Sequence, residues 1–290
     1  GNTSNAFTGT VAFTTGGTAG NVTIDNGTTA LDLAASTISG TLSATGGASA
    51  GIVDSGNVAV AGNVTLTTDA GNGVINMGTL QQSAGDLILV TNGNGAATVV
   101  NNAAIAFGAS NVGGALSATA SAGTITQAGT LTVAGTSAFT TSATDQVITL
   151  SNTSNALTGA VAFTTGGTTG NVTIDNGTTA LDLAASTISG TLSATGGASA
   201  GIVDSGNVAV AGDVTLTTDA GNGVINMGTL QQSAGDLLLV TNGNGAATVV
   251  NNVGIDFGTS NVGGALTVTA TTGDIMQTGG ALTVAGASSF

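Results

Sequence analysis

The sequence predicts an all-β fold, and within that class a parallel β-helix (β-solenoid) of about 21 residues per coil that forms an elongated rod. Apolar and small polar residues alternate with a period of two in many short segments, which is typical of half-buried strands. Gly, Asn, Asp, Ser and Thr separate these segments, as turns require. The chain also repeats itself, and its 49 glycines among 290 residues would weaken any helix.

The alternating segments follow one another at short intervals along the first half of the chain. They are TVAF (10–13), NVTI (21–24), ALDL (30–33), TLSA (41–44), NVAV (57–60), NVTL (63–66), DLIL (86–89), ALSA (115–118) and TLTV (130–133). Related segments recur about one coil apart, so their apolar residues are expected to stack in buried columns. One such column is predicted to contain Val22, Leu42, Val64 and Leu87.

The supply of large side chains favours a solenoid over a β-sandwich. The chain has 7 Phe and neither Trp nor Tyr, too few to fill the wide core of a sandwich, whereas a solenoid has a narrow core of stacked aliphatic residues. Six phenylalanines recur between the two halves and are predicted to fill the core or close its corners. They are Phe13, Phe107, Phe139, Phe163, Phe257 and Phe290.

Two long repeats divide the chain. Residues 20–62 recur unchanged as 170–212, and residues 64–87 recur as 214–237. We therefore expect a first long repeat at 1–150, with about seven coils, and a second at 151–290 that continues the same solenoid. At ~4.8 Å per coil, the two together would give a rod of roughly 65 Å.

The composition excludes most kinds of chemistry. Lys, Arg, His and Cys are absent, and all 14 acidic residues are Asp, so the net charge is −14. Nucleic-acid binding needs cationic side chains, a catalytic triad needs a base, and zinc sites need His or Cys. We therefore predict that the protein is not an enzyme, requires no cofactor and binds no nucleic acid. The longest aliphatic run, about Leu87–Val90, is far below the ~20 residues that span a bilayer, so no membrane insertion is expected.

The two ends of the sequence bear on its partners. A solenoid needs caps on its terminal coils, and neither GNTSN at the start nor VAGASSF at the end resembles one. We expect that the chain continues at both ends or that subunits stack, which makes a further copy of the protein the predicted partner, joined end to end or laterally. Because Gly1 is not an initiator, the chain is expected to be mature or an excised window.

The segment TTDAGNG, at 67–73 and again at 217–223, allows two interpretations. In the first it is a turn, in which Asp69 and Asn72 favour turn conformations and the two glycines adopt positive φ. In the second, Asp69 and Asp219 bind Ca²⁺ together with neighbouring carbonyl oxygens. Asp32 and Asp54 are separated by nearly one coil, so their carboxylates are expected to stack and repel unless a divalent cation lies between them.

Other polar patterns also have structural interpretations beside functional ones. NGNG (92–95) and NN (101–102) are expected to form tight turns or stacked Asn ladders. Pairs of Thr such as TLT (65–67) would suit an ice-binding face, but Thr also favours strands for reasons of packing. These patterns therefore support the strand prediction more directly than any ligand.

Residues 111–139, NVGGALSATASAGTITQAGTLTVAGTSAF, resemble the degenerate repeats of filamentous-haemagglutinin-like bacterial adhesins, as do the corresponding residues 261–290. The shared pattern has the form G-x-L-x-V-x-A, G-x-I-x-Q-x-G and L-x-V-x-G-x-x-x-F. The resemblance implies secretion to the bacterial cell surface, a right-handed coil, and adhesion or fibre formation, with a host or neighbouring cell surface as a further partner.

Together these observations predict a non-catalytic structural segment of a secreted bacterial surface fibre or extracellular filament, whose coils stack end to end. The alternative is an adhesin stalk or a receptor- or glycan-binding region of a filamentous-haemagglutinin-like protein. Both functions use the same backbone architecture. They differ in whether the segment itself recognises a ligand.

Overall fold

The computed structural model describes residues 2–290, and it confirms the β-solenoid. Those residues contain no helix, and their parallel strands stack in about 12 coils of about 22 residues, close to the predicted coil length. The chain divides into two compact units. Unit 1 ends at Ser142, and unit 2 comprises Ala143–Phe290.

Unit 1 contains two parallel sheets. The strands of its first sheet are β1 (Val22–Asp25), β4 (Leu42–Gly46), β7 (Val64–Thr68), β9 (Leu87–Val90), β11 (Ile105–Phe107), β12 (Ser110–Val112), β14 (Ile125–Gln127) and β15 (Leu131–Val133). The strands of its second sheet are β2 (Leu31–Leu33), β3 (Ser36–Ile38), β5 (Ile52–Asp54), β6 (Val58–Val60), β8 (Ile75–Gln82), β10 (Ala97–Asn101), β13 (Leu116–Ala120) and β16 (Ser137–Thr144), which begins in unit 1.

Unit 2 repeats this arrangement. The strands of its first sheet are β17 (Ile148–Leu150), β18 (Ala156–Leu157), β20 (Val172–Asp175), β23 (Leu192–Gly196), β26 (Val214–Thr218), β28 (Leu237–Val240), β30 (Ile255–Val262) and β32 (Ile275–Val284). The strands of its second sheet are β19 (Val161–Gly166), β21 (Leu181–Leu183), β22 (Ser186–Ile188), β24 (Ile202–Asp204), β25 (Val208–Val210), β27 (Ile225–Gln232), β29 (Ala247–Asn251), β31 (Leu266–Ala270) and β33 (Ser288–Ser289).

The predicted core column is confirmed. In unit 1, β1 pairs with β4, β4 with β7 and β7 with β9, always in parallel. The register places Val22 beside Leu42, Leu42 beside Val64 and Val64 beside Leu87, and all four side chains are buried. Each strand alternates between the inside and the outside, so every second residue contributes to the core. Fully burying one such side chain stabilises the fold by about 1.5–3 kcal/mol.

The phenylalanines follow the prediction with two exceptions. Phe107, Phe139, Phe163 and Phe257 are at most 1% exposed, and Phe107 extends the column beyond Leu87. Phe290 instead remains 64% exposed, and Phe13 is half-buried. These two lie in the last and the first coil of the described residues.

The predicted stacking of Asp32 on Asp54 is wrong by one residue. The register of β2 and β5 pairs Asp32 with Val53 and Leu33 with Asp54, because this coil is one residue shorter than the separation of the two aspartates. Since neighbouring residues of a strand face opposite ways, the two carboxylates do not form a stack. The coil length varies with the number of residues at each corner, which the mean spacing does not reveal.

Candidate functional site

Four fully buried asparagines form the most regular polar feature of the described residues. Asn26, Asn101, Asn176 and Asn251 each have 0% exposure, and they follow one another at a constant interval that is half of the long repeat. Each lies at the end of a strand, where the chain turns a corner of the coil. We call these four residues the amide corners, and the interval between them a half-repeat.

Asn101 shows what an amide corner does. Its Oδ1 accepts a hydrogen bond from the backbone N–H of Gln82 at 2.8 Å, and its Nδ2 donates to the Gln82 carbonyl at 3.0 Å. Nδ2 also donates to the Ala104 carbonyl at 2.7 Å. Gln82 lies one coil earlier, so a single side chain joins two coils and also fixes its own turn. Because Asn101 is buried, water could not replace its side chain as the hydrogen-bond partner of these backbone groups.

The other three amide corners make the same set of bonds. Asn26 pairs with both backbone groups of Phe7, Asn176 with those of Leu157 and Asn251 with those of Gln232, always 19 residues earlier. The second Nδ2 bond goes to a carbonyl three or four residues ahead, at 2.7–3.0 Å. The corner is therefore one structural device used four times.

A half-repeat corresponds to about three and a half coils. The equivalent strands β4 and β13 show the consequence, because Leu42 lies in the first sheet and Leu116 in the second. Successive half-repeats thus place the same sequence pattern on opposite sheets of the solenoid.

A buried serine accompanies each amide corner. Ser36, Ser110, Ser186 and Ser260 accept a hydrogen bond through Oγ from a backbone N–H of the previous coil, at 3.0–3.1 Å. The same hydroxyls donate to a carbonyl two residues earlier, at 2.8–3.1 Å. Like the asparagines, they connect coils without any charge.

Threonines close further corners. Thr68 donates from Oγ1 to the Gly73 carbonyl at 2.9 Å, and its Oγ1 accepts from the Asn92 N–H of the next coil at 3.0 Å. Thr91 makes the corresponding bonds with Gly95 and Gly113. The segment TTDAGNG is thus anchored by its second Thr, Thr68, which bonds both within the turn and to the next coil.

Aspartates on the outside form a second, exposed kind of corner. Asp54 accepts hydrogen bonds from the backbone N–H groups of Gly78 and Thr79, both at 2.8 Å, and from Thr79 Oγ1 at 3.0 Å. Asp204 makes the same three bonds with Gly228 and Thr229. We call these residues, together with Asp145 and Asp256, the carboxylate corners.

Asp145 and Asp256 have altered acidity. The backbone N–H groups of Thr168 and Thr169, at 2.7 and 2.8 Å, lower the pKa of Asp145 below its ordinary value of 3.8. For Asp256, the hydroxyl of Thr278 and then its N–H lower the pKa in the same direction. Hydrogen bonds to the ionised form favour that form, which accounts for both shifts.

The structure places the two predicted calcium ligands at exposed corners. Asp69 and Asp219 follow β7 and β26, and their backbone N–H groups lie 3.4 Å from the carbonyls of Gly46 and Gly196. Among residues 2–290 no group of three or more His, Cys, Asp or Glu residues could hold a metal ion. Calcium binding at these positions stays a prediction that would depend on single carboxylates and carbonyl oxygens.

The turn interpretation of the same segment needs one correction. Gly71 has a φ of 63°, as predicted, but the second positive φ, of 56°, belongs to Asn72 and not to Gly73. Gly73 is needed for space, because a Cβ there would lie 2.8 Å from the Ala48 carbonyl oxygen and 2.9 Å from Thr68 Cβ. Asn tolerates the left-handed region better than most residues do.

A groove of about 530 Å³ lies along the second sheet of unit 2. Its lining is neutral and includes hydroxyl and amide side chains together with small apolar ones, with no carboxylate. The polar residues that line it are Thr168, Thr187, Ser189, Gln231, Ser233 and Asn252. Residues 2–290 include no helical segment with the length and hydrophobicity that spanning a bilayer requires.

The amide corners are the residues that sequence reasoning missed. The dipeptide at 101–102 was expected to form a tight turn or an Asn ladder, but only Asn101 has a buried side chain that bonds between coils, while the side chain of Asn102 is exposed. The available signal was the constant interval between four asparagines. A search for repeats at half of the obvious period would have found them.

Comparison with known families agrees with that half-period. A family model described as repeats of unknown function (DUF5649) matches four successive segments, residues 19–88, 93–164, 169–237 and 243–290. Each matched segment begins about one half-repeat after the previous one and contains one amide corner. No match was found among curated proteins, and none among solved structures.

Proposed function

Because this chain belongs to that family of repeats, with four copies that cover most of its length, we propose that it is a non-catalytic structural segment of a secreted bacterial surface fibre or extracellular filament. The β-solenoid fold and the tandem repeats are compatible with such a role. The segment would supply length and resistance to unfolding, and it would require no cofactor.

The observation that carries this proposal is the way in which polar groups are used. Buried Asn, Ser and Thr side chains direct their hydrogen bonds to the backbone of neighbouring coils, as Asn101 does with Gln82 and Ser110 with Leu89. An active site would instead direct such groups towards a cleft where a substrate can reach them. Here the polar chemistry holds coils together, which is what a mechanical element requires.

Resistance to proteolysis offers a first test. Trypsin is uninformative, because the chain has neither Lys nor Arg, so a protease of broad specificity such as proteinase K is needed. We expect the folded chain to survive conditions under which Asn101→Ala is cut, since cleavage requires local opening. Rapid digestion of the parent chain at every coil would contradict a mechanical role.

Location offers the second test. Antibodies raised against the chain, used for immunogold labelling of intact cells of the source bacterium, should decorate fibres at the cell surface. Labelling that appears only after the cells are opened would contradict the proposal. Labelling confined to the tips of fibres would favour the second candidate below.

The second candidate is an adhesin stalk or a glycan-binding region, and the groove of unit 2 favours it. Hydroxyl and amide groups such as Thr187, Gln231 and Asn252 can bond sugar hydroxyls, although aromatic stacking residues are not among the lining. Glycan-array binding by the parent chain that is lost in Gln231→Ala would establish this candidate. If the parent chain binds no glycan, the structural role is the candidate function that remains.

A further inference from the structure

Eight Asn-Gly dipeptides occur in the chain. They begin at Asn26, Asn72, Asn92, Asn94, Asn176, Asn222, Asn242 and Asn244. In such a dipeptide the backbone nitrogen of the glycine can attack the Cγ of the asparagine side chain and displace ammonia. Glycine obstructs this ring closure least, because it has no Cβ. The surroundings of each dipeptide therefore determine whether it reacts.

Two conditions decide the reactivity of an Asn-Gly dipeptide in a folded chain. The asparagine side chain must be able to turn towards its own main chain. The glycine N–H must also be free of a hydrogen bond, because the nitrogen loses this proton when it attacks. A buried or hydrogen-bonded group meets these conditions only while the structure is locally open.

The dipeptides at two of the amide corners meet neither condition. The side chain of Asn26 is 0% exposed and is hydrogen-bonded to the backbone of the previous coil. The N–H of Gly27 donates to the Asp25 carboxylate at 2.8 Å. Asn176 and Gly177 repeat this arrangement in the second long repeat. Both dipeptides are therefore protected by the fold.

The dipeptide at Asn72 is exposed on one side only. Its Oδ1 accepts a hydrogen bond from the Asn94 N–H at 3.0 Å, which holds the side chain against the next coil. The N–H of Gly73 donates to the Ala70 carbonyl at 3.1 Å, and Gly73 is buried. The second long repeat has the same two bonds, both at 3.0 Å. Two hydrogen bonds must therefore break before this dipeptide can react.

The dipeptide at Asn94 has an exposed side chain, but its glycine N–H is bonded. The N–H of Gly95 donates to the Asn92 carbonyl at 3.0 Å and closes a turn, and Gly95 is buried. The corresponding bond in the second long repeat also measures 3.0 Å. Attack by the Gly95 nitrogen therefore requires this turn to open first.

The dipeptide at Asn92 meets both conditions. The Asn92 side chain is exposed and makes no hydrogen bond within residues 2–290, and the exposed Gly93 N–H has no partner in that range either. The Asn92 carbonyl accepts the turn bond from Gly95, but the nitrogen that attacks takes no part in it. Asn242 and Gly243 have the same exposure and the same free groups.

The fold also requires the glycine that follows Asn92. Gly93 has a φ of 56°, and a Cβ at this position would lie 2.1 Å from Asn72 Oδ1. Gly243 has the same φ and the same separation from Asn222 Oδ1. A residue with a side chain would be strained at either position. The corner therefore retains the residue that favours ring closure.

We propose that Asn92 and Asn242 are sites of spontaneous deamidation in the folded protein. At the first site the Gly93 nitrogen gives up its proton and bonds to Asn92 Cγ, and the bond from Cγ to Nδ2 breaks. The departing nitrogen takes up a proton and leaves as ammonia. Water then opens the ring at one of its two carbonyls, which gives aspartate or isoaspartate. One water is consumed and one ammonia released for each event.

Deamidation changes the corner in two ways. Each event adds one negative charge to a chain whose net charge is already −14. Isoaspartate also adds one carbon to the main chain, directly after Thr91. The hydroxyl of Thr91 bonds to the Gly95 carbonyl at 2.7 Å and to the Gly113 N–H at 2.9 Å. The isoaspartyl product is therefore expected to loosen the connection between these two coils.

Peptide mapping by mass spectrometry can follow the different dipeptides separately. The chain has no Glu and 14 Asp, so a protease that cleaves before Asp gives a simple digest. The informative peptides are 25–31, 69–85 and 86–144 in the first long repeat and 175–181, 219–235 and 236–255 in the second. Fragmentation within 86–144 distinguishes Asn92 from Asn94. Isoaspartate resists this protease, whereas a new aspartate creates an additional cleavage.

The full chain is incubated in mildly alkaline buffer, with far-UV circular dichroism to confirm that it stays folded. We expect Asn92 to deamidate about fivefold faster than Asn94 or Asn72, whose glycine N–H must first leave its hydrogen bond. It should react about a hundredfold faster than Asn26, where several buried bonds must open. In concentrated urea all eight dipeptides should react at similar rates, because the fold no longer protects any of them.

Paired variants complete the test. Asn92→Gln combined with Asn242→Gln requires a larger ring, so the folded chain should release ammonia at a small fraction of the rate of the parent. Asn94→Gln combined with Asn244→Gln is the matched control and should leave that rate unchanged. Deamidation of the folded parent at Asn94 as fast as at Asn92 would overturn the proposal. So would a folded chain that is inert at all eight sites under conditions in which the unfolded chain reacts.

Discussion

The amide corners and the carboxylate corners perform one task in two environments. Asn101 and Asp54 each use three hydrogen bonds to join a coil to its neighbour or to fix a turn. Asn101 is fully buried, whereas the bonds of Asp54 lie at the surface. Water can replace the partners of Asp54 but not those of Asn101, so burial should decide how much each corner contributes.

The largest effect is expected at an amide corner. Asn101→Ala leaves the N–H and C=O of Gln82 and the carbonyl of Ala104 without their partner, at a cost of about 3 kcal/mol. Urea unfolding measures the total loss, and hydrogen exchange at the Gln82 amide locates it. Asn102→Ala is the matched control and should change stability by less than about 0.5 kcal/mol. Equal losses in the two variants would contradict the role of burial.

A carboxylate corner should contribute less. Asp54→Ala removes the bonds to Gly78 and Thr79, and we expect a loss of about 1 kcal/mol because solvent replaces them. Asp69→Ala, at an exposed corner, serves as the control and should have almost no effect in calcium-free buffer. A loss at Asp54 as large as that at Asn101 would show that the two kinds of corner are equivalent.

Another kind of corner uses no side chain at all. Ala48 and Ala198 both have a φ of 57°, and the N–H of the glycine three residues later bonds to their carbonyls, at 3.2 and 3.3 Å. Alanine in this left-handed region is strained by about 1 kcal/mol. Ala48→Gly should therefore raise the midpoint of thermal unfolding, because the strain that is relieved exceeds the extra conformational entropy that glycine loses on folding. A lower midpoint would indicate that the corner is unstrained.

The acidity of the carboxylate corners gives a smaller, pH-dependent effect. Hydrogen bonds to Thr278 lower the pKa of Asp256 in the folded chain, so its contribution to stability is fully present above 3.8 and is lost as pH falls through the lowered pKa. Asp256→Asn should flatten the decline of the unfolding midpoint below pH 3.8. A parallel decline in the variant and the parent would contradict this contribution.

The sequence predicted the repeat better than it predicted the corners. The column of Val22, Leu42, Val64 and Leu87 could be predicted because the alternation of apolar residues is still recognisable when the coil length changes by a few residues. Contacts between particular side chains could not be predicted, because they depend on a register that is correct to one residue and the coils vary in length. The coil that pairs β10 with β13 is short, and the coil that pairs β17 with β20 is longer. The failed stacking of Asp32 on Asp54 has this cause.

The residues that bond at the corners could not be recognised from their residue types either. Asn, Ser and Thr occur at exposed turns throughout this chain, so composition alone does not separate Asn101 from Asn102. Only the position of the residue on the inner side of the coil does so, and that depends on the register. The constant interval between the four amide corners was the one signal that carried this information.

Calcium is expected to have the smallest effect. If Asp69 and Asp219 bind the ion, added Ca²⁺ should raise the unfolding midpoint slightly and a chelator should reverse the change. Asp69→Asn combined with Asp219→Asn should abolish the response. An unchanged midpoint of the parent chain after chelation would remove the calcium prediction and leave the corners purely as turns.

Engineered disulfides can show whether coils of about 22 residues stack in the register described above. The chain has no Cys, so a pair introduced as Ser43→Cys with Thr65→Cys has no competitor. These residues are register partners on β4 and β7, about 4.8 Å apart, which suits a disulfide. We predict rapid closure of this pair under mild oxidation and little closure of Ser43→Cys with Thr67→Cys, which lies two residues further along β7. Equal closure of both pairs, or closure of the second alone, would contradict the solenoid register.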